Sequence, residues 1–381
     1  MTQKDAQMTL PLMSRRARNG LAAAGVLGLL ALTACGGDAN ESAEASADDV
    51  QANGSTLVVY TNSDSHTNAE GQQSADWLTE RAAEEGFEIE VVGIGGGDLT
   101  NRLIAEAGNP VADVVFGLNH VFFSQLVAAE AIAPYTPEWA QDVSDPALGD
   151  PSGEGYFHPI VQQGIPLVYN LDAVSPEEAP SDWTDLWSDE QWHGRYESVI
   201  DLGGATTQMV FSGILTRYQD PEGELGISDE GWEQVELYFE HGNSAVPETD
   251  AWVRLADREV DMAQQPGTSS IFNREDQYGI EVGMMEPEIG IPFAVEQVAV
   301  VNGTDQEDQA QEFVDWFGSA EIQAEWSENF GSMPAIQGAI DQADEQIVEL
   351  HENLQIQDID WEFVAENLPA WIEKIELEYI P

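Results

Sequence analysis

Leu57-Val58-Val59-Tyr60-Thr61 is a short, β-branched, apolar run of the kind that forms a buried strand. Polar residues follow from Asn62 to Gln73, and a helical pattern then runs from Ser74 to Glu85 and stops at Gly86. Phe87-Glu88-Ile89-Glu90-Val91-Val92 alternates like a strand, and Gly95-Gly96-Gly97 reads as a loop. Asp98 suits a helix N-cap, with Leu99, Leu103 and Ile104 on one face of the helix behind it. Ala112-Asp113-Val114-Val115-Phe116-Gly117 is a further buried strand, and a helix is predicted over 120–129. Strand, helix, strand, helix, strand predicts an α/β fold with a parallel sheet. Ligands of such sheets lie beyond the carboxyl ends of the strands, so the loops after Thr61, Gly93 and Gly117 are the first candidate site. They place Asn62, Ser63, Asp64, His66 and Asn119 among the candidate ligand-binding residues.

The middle of the chain is rich in tryptophan and turns: Trp183, Trp187 and Trp192 precede Gly194. A short strand is predicted over 197–201, and Gly203-Gly204-Ala205-Thr206-Thr207 opens a helix that runs to about Arg217. A glycine-rich helix start with hydroxyls can receive a ligand oxygen, which adds Thr206 and Thr207 to the candidates; the same residues also serve as an ordinary helix start. Gly164–Asn170 and Ile291–Val301 read as strands that pass between domains. Glu296 lies inside the second of these, where a carboxylate is costly unless it is paired. Amphipathic helices are predicted over 305–317, 341–354 and 361–377, the last broken or kinked at Pro369. There is no internal repeat.

Twelve Lys and Arg face 71 Asp and Glu among 381 residues, a net charge of -59 spread along the whole chain. Binding to nucleic-acid phosphates needs a basic footprint and is excluded. So even a spread fits a surface adapted to salt, with a cation-attracting cleft as the functional alternative. Arg15, Arg16 and Arg18 precede an apolar run from Leu21 to Leu32, too short to span a bilayer and of signal-peptide length. It ends in Leu32-Thr33-Ala34-Cys35-Gly36, which looks like a lipobox. The expected organisation is a lipoprotein signal peptide over 1–34, lipidation at Cys35, and a flexible acidic tether over 35–55. Cys35 is the sole cysteine, so no internal disulfide or cysteine zinc site is available. G-x-S-x-G, H-E-x-x-H and the G-x-x-x-x-G-K-[ST] phosphate loop are all absent. No cofactor and no resident metal is expected.

In order and spacing, these elements resemble the type II periplasmic-type solute-binding proteins of ABC importers, within the ferric iron, thiamine and phosphonate-type cluster. The resemblance rests on Leu57–Thr61 and its loop, Asn101-Arg102-Leu103, Asp113–Asn119, Pro166–Asn170, Ala294–Val301, Phe313–Trp316 and Gly331–Pro334, spanning 56–335. It implies a two-lobed α/β fold with a hinged cleft. One lobe would take 56–160 and 289–335; the other would take 161–288, with the helices of 336–381 on it. It also implies a non-catalytic, monomeric, membrane-anchored binding protein that closes on a small molecule and delivers it to a separate permease and ATPase.

Local wording is nearest the thiamine-binding branch. That likeness maps a pocket onto Asp64, Trp252, the Thr268-Ser269-Ser270 turn, Phe272 and Glu296. A flat cationic ring needs aromatic stacking and a carboxylate, which Trp252, Phe272 and Asp64 would supply. The alternative of the same fold is a ferric-binding protein, with His66 as a ligand. The adjacent tyrosine pair of that branch is missing, and Gly267–Phe272 holds no tyrosine. An anionic ligand comes third, relying on Arg102, Arg195, Arg254 and Arg274. A secreted hydrolase or a surface adhesin are the alternatives from other classes.

Overall fold

Val59, Val114 and Val300 are buried on three neighbouring strands, and the pairing of these apolar runs builds the main sheet. A computed structural model describes residues 56–269 and 271–381. Cys35, the signal segment, the tether and Ser270 lie outside the described residues. The strands are β1 (Leu57–Thr61), β2 (Ile89–Gly93), β3 (Val114–Phe116), β4 (Ile132–Ala133), β5 (His158–Gly164), β6 (Leu167–Asn170), β7 (Glu197–Ser198), β8 (Gln219–Glu224), β9 (Asn243–Ser244), β10 (Met262–Gln264), β11 (Val282–Met284), β12 (Phe293–Val301) and β13 (Met333–Pro334). The helices are α1 (Ser74–Glu85), α2 (Gly96–Glu106), α3 (His120–Ala128), α4 (Asp185–Ser188), α5 (Ala205–Leu215), α6 (Asp229–His241), α7 (Ala251–Ala256), α8 (Ile271–Tyr278), α9 (Glu307–Phe317), α10 (Ala320–Phe330), α11 (Gln337–Ile340), α12 (Glu345–Asn353) and α13 (Trp361–Glu378).

The large sheet has the order β13-β5-β12-β3-β1-β2, with β4 also on β12. β2 and β3 flank β1 in parallel, whereas β12 joins β3, β4 and β5 antiparallel. Parallel crossovers need a connecting helix, and α1 and α2 supply it. One face of this sheet packs on Phe313, Phe317, Trp326 and Phe330; the other packs on Leu99, Phe122, Phe123 and Leu126. The second lobe is built on the antiparallel sheet β10-β6-β11 and a core holding Trp183, Trp187, Trp192 and Trp232.

β5 stays in the large sheet to Gly164, four residues beyond the lobe boundary expected at 160, because Phe293 to Val298 of β12 continue to pair with it. The chain crosses at Ile165 and Pro166, where the Ile165 amide donates to the Pro292 carbonyl at 2.8 Å. A third strand of chain braces this crossing, since Ile291 and Ile356 pair in parallel. The tail divides between the lobes: Ile336 and Ala339 join the large-sheet core, while Val364, Trp371 and Ile375 of α13 sit in the tryptophan-rich core.

One local expectation is corrected. Asp98 does not cap α2; the helix already starts at Gly96, with Gly95 as N-cap. Pro369 lies inside α13 and does not end it; Leu368 and Trp371 beside it are buried, the indole donating to the Leu225 carbonyl at 3.0 Å. Among the described residues no helix is long and apolar enough to cross a membrane.

Candidate ligand-binding site

Gly117 ends β3 at φ +94°, and a Cβ there would lie 2.6 Å from Asn62 Oδ1 and from Ser63 Oγ. Only glycine lets the first loop lie this close to the end of β3. The loop is held by the Ser63 amide on Thr61 Oγ1 at 2.9 Å and by the Ser74 hydroxyl on the Ser63 carbonyl at 2.7 Å. Ser63 is thereby aimed at β12, where the pairing register with β5 shifts between Glu296 and Gln297. Such a bulge re-aims a side chain.

Glu296 is 3 % exposed. Its Oε2 accepts the Ser63 hydroxyl at 2.9 Å, and its Oε1 accepts the Gln163 amide in a short hydrogen bond. Gln163 Oε1 in turn accepts the Ser269 hydroxyl at 3.0 Å. His66 Nε2 stands 4.0 Å from Glu296 Oε1. The first loop, β5, β12 and the segment before α8 therefore meet at one carboxylate.

Burial pushes the Glu296 carboxyl up to about 7, against the hydrogen bonds of Ser63 and Gln163, which favour its charged form. Burial, with the nearby Arg274 charge, pushes His66 down to about 4, so His66 is neutral at physiological pH. The eight basic side chains among the described residues are each ion-paired to another carboxylate: Arg81, Arg102, Arg195, Arg217, Arg254, Arg258, Arg274 and Lys374. Glu296 has no cationic side chain beside it.

A cavity of ≈ 140 Å³ opens between the lobes at this carboxylate. Asn62, Ser63, His66, Asn119, Thr206 and Glu296 line it, together with Gln163. An adjoining chamber of ≈ 360 Å³ shares Asn62, His66 and Pro266 with it, and is walled by Trp252, Gln264, Gln265, Ser269 and Arg274. Contacts across the lips join the lobes. The Gly97 amide donates to the Gly203 carbonyl at 3.0 Å, and Asn273 of α8 donates to the Thr67 and Asn329 carbonyls at 3.2 and 2.9 Å.

Other predicted residues lie elsewhere. Asp64 folds over Gly93 at the end of β2, and Thr207, 3 % exposed, accepts the Gln264 amide at 2.9 Å. Thr268 bonds to the His351 ring at 3.0 Å. Phe272 is 38 % exposed and lines a different groove with Glu321, Glu325 and Glu328. Trp252 reaches the outer chamber but is 2 % exposed; its indole donates to Gln265 Oε1 at 2.6 Å, and it packs against Tyr278 and Arg274. The stacking pair expected from Trp252 and Phe272 is not assembled. The residues that sequence reasoning missed are Gln163, Gln264, Gln265 and Asn273. None carried a clear local signal; Gln163 stands between Gln162 and Gly164, next to a predicted crossing.

Residues 76–353 match the bacterial extracellular solute-binding protein family. A probable ABC transporter periplasmic-binding protein, y4fP of Sinorhizobium fredii (strain NBRC 101917 / NGR234), is 34% identical over 326 residues, covering 85% of this chain and 86% of that protein. Iron-bound HitA from Pseudomonas aeruginosa is similar in structure, with a TM-score of 0.66 at 18% identity, covering 84% of this chain and 99% of that one. AfuA from Actinobacillus pleuropneumoniae with bound fructose-6-phosphate gives 0.64 at 18% identity, covering 85% and 98%. At these identities the two structures carry the two-lobed α/β fold and nothing about the ligand.

Proposed function

We propose that this chain, which belongs to the bacterial extracellular solute-binding protein family and serves an ABC transporter, carries a small thiamine-like organic cation between its lobes, with Glu296 as the charge partner. The family binds substrates for transport and is not enzymatic. One observation carries the ligand reading: a carboxylate 3 % exposed faces an interlobe cavity with no cationic side chain beside it, His66 at 4.0 Å being neutral. Leaving such a group charged and unpaired is costly, and a ligand cation offsets that cost only when both lobes close around it. The closed, loaded form is then what the permease and ATPase receive.

Two further parts of this reading concern the ends of the chain. Lipidation at Cys35 is supported by the lipobox-like Leu32–Gly36 run and would hold a monomer at the outer face of the membrane. The division into lobes at 56–164 with 293–340, against 167–288 with 361–378, is supported by the separate cores.

The test is a thermal-shift screen of residues 36–381 in molar salt, with thiamine, spermidine and ferric citrate. A shift with an organic cation that disappears in Glu296→Gln supports the reading. A shift with ferric citrate alone would move the chain to the ferric alternative. For the anchor, Cys35→Ser should release the exported protein from the membrane fraction; retention there would refute lipidation.

A further inference from the structure

Gln163 stands near the end of β5 in the first lobe and is buried, yet its side chain touches both lobes. Its Nε2 donates to Glu296 Oε1, and its Oε1 accepts the Ser269 hydroxyl at 3.0 Å. Ser269, also buried, lies in the second lobe between β10 and α8. The other groups at Glu296, Ser63 and His66, both come from the first loop. Among the described residues, Gln163 is thus the neighbour of Glu296 whose bonds reach on into the second lobe.

This line of bonds has a direction. A carboxylate only accepts, so Gln163 turns its amide N–H to Glu296 and its carbonyl to Ser269. Ser269 therefore donates to Gln163, and Gln163 to Glu296. The backbone is shaped to the same contact. A Cβ on Gly267 would overlap Gln163 Oε1 and Cδ, so the segment before α8 lies directly on the amide, an approach that only glycine permits. That segment leads into α8, where Asn273 donates to the Thr67 and Asn329 carbonyls of the first lobe.

We infer that Gln163 is a positioning residue that couples the solute to closure: charge at Glu296 orients its amide, the amide holds Ser269, and Ser269 seats α8 and its clasp against the first lobe. This rests on the reading above that the solute's cation sits on Glu296. A ligand shifts an open–closed equilibrium only through contacts that differ between the two states. A cation touching Glu296 alone touches one lobe and favours neither state. The Ser269 bond spans the lobes and is lost when they part. A cation that keeps Glu296 ionised keeps the amide turned toward it, and so makes that bond part of the loaded state.

Hydrogen exchange of residues 36–381 in molar salt, without ligand, isolates the relay. Gln163→Met and Ser269→Ala should each speed amide exchange in α8 about fivefold to tenfold, with α1, α6 and α13 unchanged. The double variant should be no faster than either single one, because both break the same line of bonds. Gly267→Ala should reproduce the effect by pushing the amide aside. No change in α8, or effects that simply add, would overturn the proposal.

Calorimetric titration with thiamine and spermidine connects the relay to binding. Ser269→Ala should weaken the cation that binds about fivefold to tenfold without moving the pH midpoint of binding, since both bonds to Glu296 remain. Gln163→Met should weaken it at least as much and move the midpoint up, because it removes a donor that favours the charged carboxylate. A cation whose affinity ignores Ser269→Ala would overturn the coupling even where α8 exchange responds. If neither cation binds while the exchange pattern holds, the cation reading falls and the relay stands as the link between this carboxylate and α8.

Discussion

Replacing Glu296 with Gln should stabilise the ligand-free protein while destroying its affinity. The Glu296 carboxyl is raised from an ordinary 4.5 to about 7 by burial, so the folded chain holds a proton there that the unfolded chain releases between those two values. The sign follows: below about 4.5 the group costs nothing, its penalty grows as pH rises, and it is complete above about 7. The gap corresponds to about 3 kcal/mol, an upper figure because the site relaxes around the charge. A glutamine can keep both contacts. Its Oε1 accepts from Gln163, and its amide donates to the Ser63 hydroxyl, which rotates to accept. Urea unfolding in molar salt, without ligand, should therefore show Glu296→Gln more stable by about 2–3 kcal/mol at about pH 8 and unchanged near pH 4.5. An equal gain at both pH values, or a loss at the higher one, would refute the account of Glu296 as a strained, unpaired carboxylate.

The same group gives ligand binding a pH dependence. An ammonium needs ionised Glu296, so Kd should rise about tenfold from pH 8 to pH 6 in calorimetry, and a flat profile would remove Glu296 from the contact. Arg254, 2 % exposed, holds Glu197 at 2.5 Å and Asn243 Oδ1 at 2.7 Å; Arg254→Met should leave Glu197 buried without a partner and cost about 3–5 kcal/mol in urea midpoint terms. Asn273→Ala removes both amide donors that tie α8 to the first loop and to α10. Scattering should show a more open ligand-free form and Kd should weaken roughly tenfold, whereas an unchanged Kd would deny the clasp any part in closure.

The first lobe was legible because its central strands β1, β3 and β12 are largely buried and its helices carry a clear apolar stripe. α1 begins at Ser74 and ends at Glu85 as its pattern predicts, closed by Gly86. Where backbone freedom outweighed side-chain preference, the expected helix start was displaced: Gly95 and Gly96 let α2 start before Asp98. Half of the site was legible for one reason. A parallel sheet directs its loops to one end, so Ser63, His66 and Asn119 were placed by topology before any chemistry was considered.

The rest of the site depends on contacts between lobes, which periodicity does not encode. Gln163 lies on β5 between Gln162 and Gly164, 133 positions before Glu296, and nothing local distinguishes it from a solvated amide. Phe272 and Trp252 failed as a stacking pair for a related reason: aromatic residues serve cores and sites equally, and only packing tells them apart. Glu296 was legible because it breaks the rule of its own strand. In a chain with 71 acids the exposed carboxylates carry no positional information, but one held at the bulge of a buried strand must answer to something. With Ser63 and Gln163 as neutral donors and no Lys or Arg paired to it, Glu296 is the residue on which the proposal of a ligand cation rests.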